Sequence, residues 1–88
     1  MNRNSGLILD ASNASPDEGA NIVQFHDNDA LNQQWTLIDL GDGTLQLLNA
    51  NSSLLADVVD GSTNAGARIV QYHDAGSASQ RWVLIPAD

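Results

Sequence analysis

Apolar residues along this chain fall in short runs, several of them alternating with polar residues, and polar segments separate the runs. This pattern predicts strands and loops. The segments 12–19 and 59–66 are rich in Ser, Asn, Asp and Gly and are predicted to be loops. No window sustains an apolar period of 3.6 residues, so no helix is predicted. The predicted strands cover residues 7–10, 22–26, 35–38, 44–48, 54–57, 68–73 and 82–85.

The pattern recurs because the chain repeats itself. Residues 4–38 align without a gap onto residues 51–85 at a constant offset of 47, and 16 of the 35 aligned positions are identical. Such repeats indicate similar structural units that bury their apolar faces against one another. We therefore expect a single two-repeat unit over residues 1–88. Its parts are repeat one at 1–38, a linking turn at 39–43 and repeat two at 44–88.

Three motifs recur in register within the two repeats. They are Leu-x-x-Asp at 7–10 and 54–57, Gly-Ala-x-Ile-Val-Gln at 19–24 and 66–71, and Gln-x-Trp at 33–35 and 80–82. In this order and spacing the chain resembles the ricin B-chain type lectins, the (QxW)₃ β-trefoil family, which includes carbohydrate-binding modules of microbial glycoside hydrolases. The resemblance implies an all-β fold built of β-trefoil-type repeats, about seven strands here, and non-catalytic carbohydrate binding.

The family that the chain resembles has three repeats of four strands, whereas this chain has two repeats. Two repeats leave a threefold barrel open, and an open strand edge must be covered. The third place could be filled by oligomerisation, the chain could be a fragment or engineered piece of a longer three-repeat protein, or two repeats could rearrange. We expect a homo-oligomer, with a trimer favoured, because three chains supply six repeats, enough for two trefoils. No disulfide stabilises this small chain, which has no cysteine.

Charge and composition limit the kinds of molecule that this chain is expected to bind. Three basic residues against eleven acidic ones give a net charge of −8, which disfavours binding to nucleic acid and to anionic membranes. No apolar run approaches the roughly 18 residues of a membrane span, so no membrane insertion is expected. The N-terminal residues show no signal-peptide pattern. The family resemblance suggests a secreted or extracellular protein, and the sequence itself does not assign a location.

The resemblance also implies a shallow sugar pocket in each repeat. An aspartate would accept hydrogen bonds from sugar hydroxyls, a side chain two positions after the mid-repeat Gln would stack on the sugar ring, and an Asn before Gln-x-Trp would add a hydrogen bond. Galactose- or xylose-type sugars are expected, bound weakly at each site, with avidity from several sites. The residues carried over by position are Asp10, Gln24, His26, Asn32 and Gln33 in repeat one, and Asp57, Gln71, His73 and Gln80 in repeat two, where Ser79 replaces Asn32.

Strand alternation assigns faces within segment 23–26. Phe25 falls on one face, and Gln24 and His26 fall on the other. Phe25 and its counterpart Tyr72 are therefore predicted to lie in the core, and the histidines are predicted to face outward.

Other interpretations of these residues stay open. The two aspartates could cap the turns that follow them, and the histidines could be ordinary exposed strand residues. The glutamines of the Gln-x-Trp motifs share the parity of the tryptophans, which are predicted to lie in the core, so structural hydrogen bonding is their expected role. The loop carboxylate Glu18 is expected to be solvated. A structural or protein-interaction trefoil without live sugar sites is the alternative function.

Neither catalysis nor a metal or other cofactor is predicted. A glycosidase needs two carboxylates across one cleft, and Asp10 and Asp57 are related copies expected on different lobes. Neighbouring strand residues point to opposite faces, so the adjacent His-Asp pairs at 26–27 and 73–74 do not converge on a metal ion.

Overall fold

The computed structural model describes residues 4–85, and its regular elements are strands and short 3₁₀ turns. The all-β prediction is therefore confirmed. The same range contains no helix of the length and apolarity that crossing a bilayer requires. The strands are β1 (Ile8–Ala11), β2 (Ile22–Phe25), β3 (Trp35–Asp39), β4 (Leu45–Asn49), β5 (Leu55–Val58) and β6 (Ile69–Tyr72). The 3₁₀ turns lie at Ser12–Ala14, Leu31–Gln33, Val59–Gly61 and Ala78–Gln80.

The strands form two antiparallel sheets, and one of them joins the repeats. β1 and β2 form a hairpin within repeat one, and β5 and β6 form the corresponding hairpin within repeat two. β3, the last strand of repeat one, pairs with β4, the first of repeat two, from Trp35 opposite Asn49 to Asp39 opposite Leu45. The order β3-β4-β5-β6 therefore makes a continuous sheet across the boundary between repeats.

The described residues 4–85 form six strands, one fewer than the about seven predicted, and the difference lies at the last predicted strand, residues 82–85. Trp82 forms an isolated bridge with Leu45, and residues 83–85 have no strand pairing. The related strand in repeat one, β3, pairs with the first strand of the next repeat. Residues 83–85 have no such partner within the range 4–85, and the Ile85 side chain is accordingly 84% exposed.

The two repeats share one apolar interior. An apolar cavity of about 290 Å³ is lined by matched residues of both repeats. The indole N–H groups of Trp35 and Trp82 each donate to a backbone carbonyl, of Leu9 and Ala56 respectively, at 3.2 Å. Both indoles are only half-buried, because the interior is open on one side. The lining residues are Leu9, Ile22 and Trp35 from repeat one, and Leu47, Ala56, Ile69 and Trp82 from repeat two.

The loop of repeat one is fastened to β6 of repeat two by Gln71. The Gln71 side chain is fully buried, and its Nε2 donates to the carbonyls of Ser15 (2.7 Å) and Asp17 (2.9 Å). Its backbone N–H donates to Ala20, and its carbonyl accepts from the Gly19 N–H at 2.8 Å. One glutamine therefore ties the loop to the neighbouring repeat at four points.

The turn between β3 and β4 is closed by Asp42. Gly41 and Gly43 on either side adopt φ of 81° and 90°, a region that glycine enters without steric cost. The hydrogen bond from the Thr44 hydroxyl is the main cause that lowers the pKa of the Asp42 carboxyl, followed by the bond from the Thr44 backbone N–H. A lowered pKa means that Asp42 stabilises the fold above its ordinary pKa and loses that effect as the pH falls through the folded value.

Replacing Thr44 with valine is expected to raise the pKa of Asp42 towards its ordinary value, because the strongest hydrogen bond to the ionised form is lost. An NMR pH titration of the Asp42 carboxyl carbon measures the change. Thr36→Val, at an exposed position of β3, is the matched control and should leave this pKa where it is. An unaltered titration in Thr44→Val would refute the assignment.

Candidate functional site

Each repeat has an open pocket beside the aspartate that recurs in the two repeats. The pocket of repeat one has a volume of about 340 Å³ and includes Asp10, Phe25 and Asn32 in its lining. The pocket of repeat two, about 420 Å³, includes Asp57 and Tyr72. The two pockets share no lining residue, so the two aspartates serve separate sites.

Asp10 lies near the end of β1 and forms the polar centre of the first pocket. Its side chain is buried, and each carboxylate oxygen accepts one side-chain amide: Oδ1 from Asn32 Nδ2 and Oδ2 from Gln33 Nε2, both at 2.9 Å. Asn32 Nδ2 also donates to the Ala11 carbonyl at 3.0 Å. A carboxylate can accept about four hydrogen bonds, so Asp10 retains acceptor capacity. Its bonds run to these amides, and the turn at Ser12–Ala14 has no side-chain cap.

Gln33 positions Asp10 because its amide joins three segments. The Nε2 donates both to Asp10 and to the His26 carbonyl at 2.8 Å, and the Oε1 accepts from the Asn28 N–H at 3.0 Å. The side chain is buried. All three groups of the amide are engaged with the protein, so Gln33 holds the carboxylate in place from behind.

Repeat two reproduces this arrangement without the two hydrogen bonds that Asn32 donates in repeat one. Gln80 Nε2 donates to Asp57 Oδ2 at 2.9 Å and to the His73 carbonyl. Ser79 stands at the place of Asn32, and its hydroxyl pairs with that of Ser77. Within residues 4–85, Asp57 Oδ1 therefore receives no hydrogen bond and is available to a ligand hydroxyl.

The aromatic ring that lines each pocket belongs to Phe25 in repeat one and to Tyr72 in repeat two. The prediction that these two residues lie in the core is therefore wrong. Asp10 lies opposite Val23 in the β1–β2 register, so alternation puts Phe25 on the face of the carboxylate. Phe25 is 45% exposed and Tyr72 38% exposed. The sequence contains this signal, but it is readable only once the hairpin register is known.

The histidines are absent from both pocket linings, and each imidazole lies next to an aromatic ring that lines a pocket. The ring centroids of Phe25 and His26 are 4.2 Å apart, and those of Tyr72 and His73 are 4.4 Å apart. His73 Nδ1 also pairs with the Glu18 carboxylate across the repeat boundary. Glu18, expected to be a solvated loop residue, is thus part of the contact between the repeats.

The mid-repeat glutamines do not belong to the pocket linings either. Gln71 is occupied by the loop of repeat one, whereas the Gln24 side chain is exposed and accepts from the Ser5 hydroxyl at 2.9 Å. Of the predicted site residues, each pocket thus brings together the aspartate and the residue at position 32 or 79, and it adds the aromatic ring. In the described part of the chain, no three His, Cys, Asp or Glu side chains cluster so as to hold a metal ion.

Comparison with known proteins agrees with this geometry. The family model described as ricin-type beta-trefoil lectin domain-like matches residues 1–72 and again 31–88. The chain belongs to this family. No curated protein matches it.

Two solved structures are closely similar to the chain. One is ThreeFoil, a designed 3-fold symmetric protein, with a TM-score of 0.94 and 43% identity over 96% of this chain. The other is 1,3Gal43A, an exo-β-1,3-galactanase from Clostridium thermocellum, with a TM-score of 0.96 and 39% identity over 99% of this chain. These matches confirm the β-trefoil fold.

The chain spans 60% of the designed protein and 19% of the galactanase. Ninety-six per cent of 88 residues, divided by 0.60, is about 141 residues, and one third of that is about 47. The symmetric unit of the designed protein thus has the same length as the repeat of this chain. Two such repeats correspond to two of the three repeats of the designed trefoil.

Replacing Gln80 with leucine is expected to lower the free energy of unfolding by about 3 kcal/mol, because the buried Asp57 loses its amide donor. Gln34→Leu, at an exposed side chain, should change it by no more than about 0.5 kcal/mol. Urea unfolding at one fixed chain concentration measures both. Equal stability of the two variants would show that Gln80 does not support Asp57.

Proposed function

We propose that this chain is a non-catalytic carbohydrate-binding unit with one shallow sugar site in each repeat. The observation that carries the proposal is the Asp10 carboxylate, held by two amides beside the exposed Phe25 ring. A carboxylate with spare acceptor capacity and an adjacent ring suit the two sides of a pyranose, whose hydroxyls need fixed acceptors and whose C–H face packs on an aromatic surface.

The pocket of repeat two supports the same role through Asp57 and Tyr72. The phenol offers a ring face and a hydroxyl, and the unbonded Oδ1 of Asp57 can accept from a sugar hydroxyl. Gln33 and Gln80 then act as supports behind the carboxylates, and His26 and His73 as supports behind the rings. Galactose- and xylose-type sugars are the proposed ligands, with millimolar affinity at each site and avidity from several sites together.

Separate pockets support the non-catalytic assignment. Glycoside hydrolysis by a carboxylate pair requires both groups at one glycosidic bond, about 5 to 10 Å apart. Asp10 and Asp57 line different pockets with no residue in common. Sugar release by the purified chain that is lost in Asp10→Asn would overturn this assignment.

Titration with galactose, lactose and xylose, followed by NMR of the backbone amides, tests the sugar sites. Phe25→Ala should weaken binding at the Asp10 pocket about tenfold, because a ring contact of this kind contributes about 1 kcal/mol or more. The Asp57 pocket should respond in the same way to Tyr72→Ala alone. His26→Ala and His73→Ala are the neighbouring controls, with an expected change below about twofold.

If binding were lost in the two histidine variants but kept in Phe25→Ala and Tyr72→Ala, the imidazoles would be the groups that stack on the sugar. No shift at either pocket with any of the three sugars would favour the alternative, a structural or protein-interaction trefoil.

A further inference from the structure

Repeat one has a surface that repeat two covers with a short segment, Asn49–Asn51. Asn49 Nδ2 donates to the Asn32 carbonyl at 3.0 Å, and the Ala50 N–H donates to the Gln34 carbonyl at 2.9 Å. Asn51 Nδ2 donates to the Ala14 carbonyl at 3.0 Å. Three carbonyls of one repeat are thus satisfied by three consecutive residues of the next.

The same surface exists on repeat two, where it is open. The positions 47 residues after Ala14, Asn32 and Gln34 are Gly61, Ser79 and Arg81. All three line a groove of about 410 Å³. No donor within residues 4–85 reaches their carbonyls, so the groove presents the acceptor pattern that Asn49–Asn51 fills in repeat one.

Repeat one has the complementary open surface at Gln24. Ser52 Oγ donates to Gln71 Oε1 at 2.8 Å, and Ser5 Oγ donates to Gln24 Oε1 at 2.9 Å, so the two amides are held alike. Gln71 Nε2 has two loop carbonyls as partners. Gln24 Nε2 donates to no residue in the described range, and its side chain is exposed.

We propose that the third place of the barrel is filled by a repeat of a second copy of this chain, docked between this groove and the Gln24 face. The chain carries the matching parts. Asn49–Asn51 of an incoming repeat two has the donors that the groove requires. Loop carbonyls like those of Ser15 and Asp17 are available to the Gln24 amide.

The open apolar interior supports this occupant over an unrelated partner. Its lining contains three matched pairs from the two repeats, together with Leu47 of β4, and a third repeat supplies a further set of the matched residues in a threefold arrangement. A new repeat would also cover the apolar side chains of β3 and of residues 83–85, where Leu37 and Leu84 are 55% and 68% exposed. The proposal does not depend on sugar binding.

The number of repeat positions in a trefoil barrel determines how many chains the proposed particle contains. A second copy that lends one repeat cannot fit its other repeat into the same barrel, because only one place is open. Three chains supply six repeats and fill the three places of two barrels, with the middle chain contributing one repeat to each. The middle chain opens at the turn of residues 40–44 and exchanges the loop and amide contacts between its repeats for equivalent ones with its neighbours, as in domain swapping. The β3–β4 pairing is the exception, because repeat one has no described strand that corresponds to β4.

Native mass spectrometry and light scattering of the 88-residue chain over a dilution series test the proposal. The expected particle is a trimer, three times 9.3 kDa. Gln24→Glu places a carboxylate against loop carbonyls and should shift the trimer to monomer at concentrations at least tenfold higher than for the parent chain. Thr36→Glu also adds one negative charge, at an exposed side chain of β3 that belongs to neither surface, and should leave the trimer intact.

Hydrogen exchange gives a second readout at two amides. In the contact between repeats one and two, the Gly19 N–H donates to the Gln71 carbonyl and the Gln71 N–H donates to the Ala20 carbonyl. The equivalent amides, of Gly66 and Gln24, should be protected in the trimer and exchange rapidly in Gln24→Glu. A monomeric or dimeric parent chain, or a trimer equally stable in both glutamate variants, would overturn the proposal.

Discussion

The arrangement of the whole chain depends on the apolar interior that the two repeats share. Neither repeat can enclose its own apolar side chains, because Leu9, Ile22 and Trp35 face the same cavity as their counterparts in repeat two. The pairing of β3 with β4 holds the two sets together across the repeat boundary. The pockets proposed to bind sugars lie on the opposite face of the same hairpins, so their geometry follows from how the hairpins pack against each other.

Buried glutamines connect separate segments of this small chain through hydrogen bonds of their side-chain amides. One amide offers two donors and one acceptor, which is enough to connect three separate segments. Gln80 connects Asp57, the end of β6 and the following loop, while Gln71 connects the two repeats. Because an unpaired buried polar group is costly, these networks specify one arrangement of the loops as well as stabilising it.

Nearly identical sequences occupy different environments in the two repeats. Gln71 is fully buried and Gln24 is exposed, although the residues around them match. The difference arises because repeat two has a preceding neighbour in the described chain, whose loop covers it. The same asymmetry distinguishes the groove at Gly61, Ser79 and Arg81 from its covered counterpart. The polar atoms of each repeat are therefore hydrogen-bonded on the side that has a neighbouring repeat and lack these partners on the other side.

The period of 47 and its three motifs, through the family that they resemble, predicted the fold class that the structure confirms, and gave the repeat boundaries and the aspartates as site centres as expectations. They could do so because each motif is local and recurs in register. The tertiary structure alone decided that Phe25 and Tyr72, rather than the histidines, face the pockets, since this depends on the β1–β2 and β5–β6 registers. It also decided that residues 82–85 do not form a strand. A strand needs a continuous partner, whereas Trp82 forms a single bridge with Leu45 and residues 83–85 have no pairing partner among the residues that the structure describes.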